Sequence, residues 1–184
     1  MAQSDPVIVA VLADCHIHPG GGADWTPQIL EALAGVDLIV TLGDMGEAAG
    51  LDRLAQIAPV LGVRGQDDSD DPRTALQVRV LQLGATRLGC VFDPVAAGLA
   101  SSVDPFNPDY NFRPRCRELF GGEITALLFA STHVPQSGWF PGCMALNPGS
   151  ATLPTGLEDG APGSFLRLEV ADDRFDFQFV EVGR

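Results

Sequence analysis

The sequence predicts an α/β fold, and three observations carry that expectation. Three short apolar runs, Val7–Ala13, Asp37–Leu42 and Pro59–Arg64, alternate with two segments of helical periodicity. Beyond Pro72 the pattern changes to paired apolar runs broken by tight turn signals. The 184 residues carry 46% hydrophobic side chains, enough for a sizeable core in one domain spanning residues 1–184.

Val7–Ala13 is continuously apolar and rich in β-branched residues, as expected of a strand buried on both faces. It ends in Asp14, and a glycine-rich turn follows at Pro19–Gly22. Thr26 reads as a helix N-cap with Pro27 in the first helical position. Ile29, Leu30 and Leu33 give that helix its apolar face, and Gly35 stops it. The second strand ends in Gly43-Asp44. Leu51, Leu54, Ala55 and Ala58 then mark a second helix, and the third strand ends in Gly65-Gln66-Asp67-Asp68. Connections this short between alternating strands and helices imply parallel pairing.

Ala75–Leu83 and Thr86–Phe92 flank Gly84-Ala85 as a hairpin, and Ala126–Ala130 reads as a further buried strand. Between them Asp104–Pro114 holds three prolines without periodicity and reads as a surface loop, with a short helix over Arg115–Phe120. A last hairpin, Ser164–Val170 with Arg174–Val182, turns at Asp172-Asp173. In it Phe175, Phe177 and Phe179 alternate with other residues, so their rings share one face and read as core.

Composition excludes several classes. With 11 Lys+Arg against 24 Asp+Glu the net charge is −13, which repels a long nucleic acid and suits a cation. No apolar run approaches the roughly 20 residues of a membrane-spanning helix. Met1–Pro6 lacks a basic stretch and no cleavage pattern follows, so a reduced cytoplasmic setting is expected. Cys15, Cys90, Cys116 and Cys143 form no CxxC pair. They read as free thiols, with Cys90 and Cys143 buried. The acidic stretch Asp67–Asp71 lacks the glycine and glutamate of an EF-hand and reads as a solvated turn. Arg113, Arg115 and Arg117 read as surface charge, and Trp25 and Trp139 as cleft wall or packing.

Polar chemistry concentrates where strands end. Asp14 and His16 follow the first strand, Asp44 the second, and His133 follows the strand at Ala126–Ala130. Strand C-termini form the edge where α/β sheets bind ligands. Two carboxylates and two imidazoles meeting there suit Zn²⁺, Mn²⁺ or Fe.

Asp14-Cys15-His16, Gly43-Asp44, Val63-Arg64-Gly65-Gln66-Asp67-Asp68, Ser131-Thr132-His133-Val134-Pro135 and Asn147-Pro148-Gly149-Ser150 occur in that order along the chain. Together they resemble the calcineurin-like metallophosphoesterases. The nearest branch is that of small single-domain bacterial phosphodiesterases, to which the retromer subunit of the same fold is related. The resemblance implies a four-layer α/β/β/α sandwich with a dinuclear metal centre between the sheets. It assigns a complete first metal site to Asp14, His16, Asp44 and His133. It leaves the second depleted: Gln66 stands for the family's Asn, Ser131 for a His, and Phe92-Asp93 for His-Gly.

Gln66 and Asp93 are the candidate ligands of a rebuilt second site, with Asp67 and Asp68 in reserve. Asp44 and His18 are the candidate catalytic residues, His18 as a hydrogen-bond donor to phosphate. The expected activity is phosphoester hydrolysis with one divalent ion, or two if the second site is rebuilt. The substrate would be a small phosphorylated compound. The alternative is an inactive module of the same fold that binds a protein partner.

Overall fold

The computed structural model describes residues 5–20, 24–101, 111–154, 161–171 and 174–183. Two five-stranded mixed sheets lie face to face. The first has the order β10-β9-β1-β2-β3, from Phe175–Val182, Gly163–Val170, Val7–Leu12, Leu38–Thr41 and Val60–Gly62. The second has the order β4-β5-β6-β8-β7, from Val78–Leu83, Thr86–Val91, Ala126–Leu128, Cys143–Pro148 and Pro135–Phe140. As expected, β1, β2 and β3 are parallel, with Val11 opposite Val40 and Val40 opposite Leu61.

Three apolar layers follow from the period-2 alternation of these strands. Val9, Val11, Val40 and Leu166 of one sheet meet Leu88, Cys90, Leu128 and Leu146 of the other. Phe175, Phe177 and Phe179 join this inter-sheet core, so their shared face packs rather than binds. On the outer face of the first sheet, Ala10, Leu12 and Ile39 pack against Ile29 of α1 (Pro27–Ala32) and Leu51 and Leu54 of α2 (Ala48–Ala55). On the outer face of the second, Leu127 and Ala145 pack against Phe112, Cys116 and Phe120 of α3 (Phe112–Phe120). The result is the α/β/β/α order. Each fully buried Leu, Val or Phe contributes roughly 1.5–3 kcal/mol.

Thr26 caps α1 by accepting from the Ile29 N–H at 3.4 Å, with Pro27 directly inside the helix. Helix α3 begins at Phe112, earlier than expected, because Pro114 falls in its first turn, where no intrahelical N–H is required. The hairpin of β7 and β8 was not foreseen. Pro135, Gly138 and Pro148 break its alternation, and Pro135 is tolerated as the first residue of an edge strand. The tips at Gly21-Gly22 and Asp172-Asp173, and residues 104–110 of the expected loop, lie outside the described residues.

All four cysteines are free and buried. Trp25 is buried and donates to the Gly50 carbonyl at 3.2 Å, whereas Trp139 stands 71% exposed on edge strand β7. Arg113 and Arg117 pair with Glu123 across the surface, and Arg115 donates to the Gly98 carbonyl. Among the described residues no helix is long and apolar enough to cross a membrane.

Candidate metal centre

Strand ends from both sheets meet at one edge. Asp14 donates its N–H to the Gly43 carbonyl (3.0 Å) and His16 to that of Asp44 (2.9 Å), which locks the β1 and β2 exits together. From the other sheet, the Ser131 and His133 N–H groups donate to the two carboxylate oxygens of Asp14 at 3.3 and 3.2 Å. Asp14 is fully buried. Burial pushes its carboxyl up to about 6; His133 and its N–H oppose the rise, and the charge of Asp44 adds to it. Burial also raises the Asp44 carboxyl, against the donation of the Asp67 and Gln66 N–H groups.

The backbone here is strained. Asp14, His16, Asp44, Ser131 and His133 have φ of 51°, 46°, 50°, 74° and 60°, and they are the non-glycine residues at positive φ among the described residues. A left-handed conformation costs a side-chain-bearing residue roughly 1–2 kcal/mol. Five such residues at one edge mark it as a place where geometry is held against local preference.

Asp14, His16 and His133 each bring one ligand atom within 4.8 Å of the others, and His16, Asp44 and Asp67 do the same. His16 belongs to both groups, with its Nε2 3.9 Å from Asp44 Oδ2. The four residues read from sequence as a first site are therefore together.

The two imidazoles test whether a cation fits. His133 Nδ1 lies 2.8 Å from the Leu153 carbonyl, an acceptor only, so Nδ1 carries the proton. His16 Nδ1 lies 3.3 Å from Asp67 Oδ2, which selects the same tautomer. With Nδ1 carrying the proton, each ring can aim the lone pair of Nε2 inward, and these atoms are 3.3 Å apart between rings stacked at 17°. Two lone pairs facing each other beside buried carboxylates repel without a cation. Their spacing is the edge of a tetrahedron with bonds of ~2.0–2.1 Å, the length of a metal–imidazole bond to zinc. The donor set fits a divalent ion.

The turn after β8 braces this arrangement. Ser150 donates its hydroxyl to the Asp14 carbonyl (2.7 Å) and accepts from the Leu153 N–H (2.9 Å). The Leu153 carbonyl takes the His133 Nδ1 proton, and the His133 N–H returns to the Asp14 carboxylate. The circuit is closed. Thr152 adds a hydroxyl to the Cys15 carbonyl at 2.5 Å.

The reserve residues divide. Asp67 lies at the centre, donating its N–H to Asp44 Oδ1 at 2.8 Å. Asp68 does not: it is buried, and its carboxylate accepts from the N–H groups of Met45, Gly46 and Gly65. The acidic stretch is thus partly a structural clamp rather than a solvated turn. Asp93 belongs to neither ligand group, and its Oδ1 accepts from the Val95 N–H at 2.8 Å. Gln66 and Phe92 line a cleft of about 240 Å³ with Asp93. His18 is exposed at the rim of a hollow shared with His16 and Asp67, its N–H tied to Asp24 Oδ2 at 2.9 Å.

The model of the calcineurin-like phosphoesterase superfamily domain matches residues 7–173. The chain belongs to that superfamily. Within the superfamily, it is 25% identical over 177 residues to a probable metallophosphoesterase of Methanothermobacter thermautotrophicus, covering 96% of this chain and 94% of that one. Among solved structures, Vacuolar Protein Sorting 29 of Cryptosporidium parvum superposes with a TM-score of 0.71 at 20% identity, over 98% of this chain and 100% of that one. Vps29 of Entamoeba histolytica, solved with Zn²⁺, gives 0.65 at 22% identity, over 95% and 98%. The calcineurin-like fold expected from the motifs is the one observed.

Proposed function

We propose that this calcineurin-like protein is a divalent-metal-dependent phosphoesterase whose first metal site is Asp14, His16, Asp44 and His133, and whose second is depleted. The observation that carries this reading is the pair of inward-facing imidazole lone pairs, 3.3 Å apart and each oriented from outside. Zn²⁺, Mn²⁺ and Fe suit the two nitrogens and two carboxylates. Such an ion, when bound, supplies an acidified water and draws charge from a phosphoryl oxygen.

The chain's own residues do the rest. Asp14 and Asp44 hold negative charge in a partly desolvated edge, which fixes a cation more strongly than exposed carboxylates would. Asp44 has one oxygen held by the Asp67 N–H and the other facing His16, so it is oriented at both ends. His18 stands at the rim, where its imidazole can donate to a phosphate oxygen. Depletion of the second site is supported by Phe92, which has no ligand atom, and by Asp93, which caps its own turn. Gln66 remains a neutral candidate there.

The test is hydrolysis of bis(4-nitrophenyl) phosphate and 4-nitrophenyl phosphate by the chelated protein resupplied with Mn²⁺, Zn²⁺ or Mg²⁺. Turnover is expected with at least one ion and is expected to fall to background in Asp44→Ala. Equal rates in the variant would overturn the reading. One observation favours an inactive, protein-binding alternative: Trp139 is 71% exposed on β7, whose outer side pairs with no strand among the described residues. No metal-dependent turnover, together with a partner lost on Trp139→Ala, would establish it.

A further inference from the structure

The cleft beside the metal centre stands where the resemblance places a metal-binding histidine and this chain has Phe92. Only a glycine separates the two. A Cβ on Gly65, which lines the cleft, would lie 2.3 Å from Asp44 Oδ1, and one on Gly43 would lie 2.7 Å from the Phe92 ring. The Phe92 carbonyl accepts from the Ala130 N–H at 2.8 Å, which ties its backbone to the strand exit that carries Ser131 and His133, and its side chain packs against the inter-sheet core. A group filling the cleft therefore lies one glycine away from Asp44.

The lining states what that group is. Phe92, Val78, Val91, Ala96, Ala97 and Leu119 make its walls apolar. Arg64 is the one cation in the lining, and it is engaged by Asp70 at 2.7 Å and by the Asp68 carbonyl at 3.3 Å. The remaining charge is the Asp93 carboxylate, which repels an anion. Gln66 and Gln77 present exposed side-chain amides that have no hydrogen-bond partner among the described residues. The chemistry matches an uncharged, mostly apolar group with a hydrogen-bonding edge, and not a phosphate.

We propose that this cleft is the ester-group subsite of the centre: the substitution that removes a second-site ligand supplies the wall that binds an uncharged aromatic ester group of a phosphodiester. The proposal rests on the phosphoesterase reading, and its test reads binding rather than turnover. Diphenyl phosphate and dimethyl phosphate carry the same charge and differ only in the groups offered to the cleft. With the Mn²⁺-loaded protein, diphenyl phosphate is expected to inhibit or bind about tenfold or more tightly than dimethyl phosphate, as apolar pocket filling gives. With the Zn²⁺-loaded protein, its amide shift changes are expected to centre on Gly65, Gln66, Phe92 and Ala97.

Phe92→Ala, and independently Ala96→Trp at the exposed rim, are expected to remove most of that preference. Ala96→Trp should leave dimethyl phosphate binding and Mn²⁺ affinity unchanged. Equal affinities of the two esters, or an aryl preference that survives both variants, would overturn the subsite. Absence of turnover with the shifts present would instead sink the hydrolase reading and leave the subsite standing.

Discussion

In the proposed centre, Asp14 would tie folding to metal binding. Its carboxyl is fully buried and pushed from 3.8 up to about 6, chiefly by burial. A raised acid pKa means that the folded metal-free protein binds its proton more readily than the unfolded chain does. Stability from this group is therefore greatest in acid and falls as pH rises from about 4 through about 6. Asp44 shifts in the same direction. Asp71 and Glu123, whose pKa values are lowered by arginine partners, lose their contribution only below the range of interest. The chelated protein is expected to be about 1 kcal/mol more stable at pH 5 than at pH 7.5, read by thermal melting. Asp14→Asn should flatten the difference, and a steeper loss of stability toward pH 5 would contradict the assignment. In the proposed centre, metal affinity is expected to run the other way, because binding there needs the Asp14 carboxylate and so weakens as pH falls through about 6.

At the scale of elements, the turn from Asn147 to Leu153 does more than end β8. The motif Asn147-Pro148-Gly149-Ser150 was legible in sequence only as a turn, because the partners of Ser150 are 136 residues away at Asp14 and three residues on at Leu153. Strand ends were legible because a buried strand is a run of apolar residues. The β7–β8 hairpin was not, because proline and glycine interrupt its alternation while its partner strands supply the order. The left-handed backbone of Asp14, His16, Asp44, Ser131 and His133 leaves no sequence signal either, since these residue types are common in ordinary turns. Removing a group that orients a ligand typically weakens metal binding by about 10–100-fold. Ser150→Ala is expected to weaken binding within that range by calorimetric titration, and to lower stability by about 1–3 kcal/mol by leaving the Asp14 carbonyl unpaired. Unchanged metal affinity with lowered stability would show Ser150 to be structural alone.

For the whole molecule, the carboxylates of Asp14, Asp44 and Asp67 and the two-sheet architecture meet at the same edge. The sheets arise from separate stretches of chain, yet Asp14 of the first accepts hydrogen bonds from Ser131 and His133 of the second. In the proposed centre, ligands from both sheets would make a bound ion a cross-link between them, and unfolding would release it. A ligand at 100 times its dissociation constant stabilises the folded state by about 2.7 kcal/mol. For a chain of this size each kcal/mol shifts the melting temperature by about 2–4 °C. Saturating Mn²⁺ or Zn²⁺ should therefore raise it by about 5–11 °C over the chelated protein. His133→Ala removes a ligand from one sheet and Asp14→Ala from the other, so each alone should abolish the rise. A rise that survives both substitutions would place the stabilising ion among the surface carboxylates, where the remaining negative charge of the molecule lies.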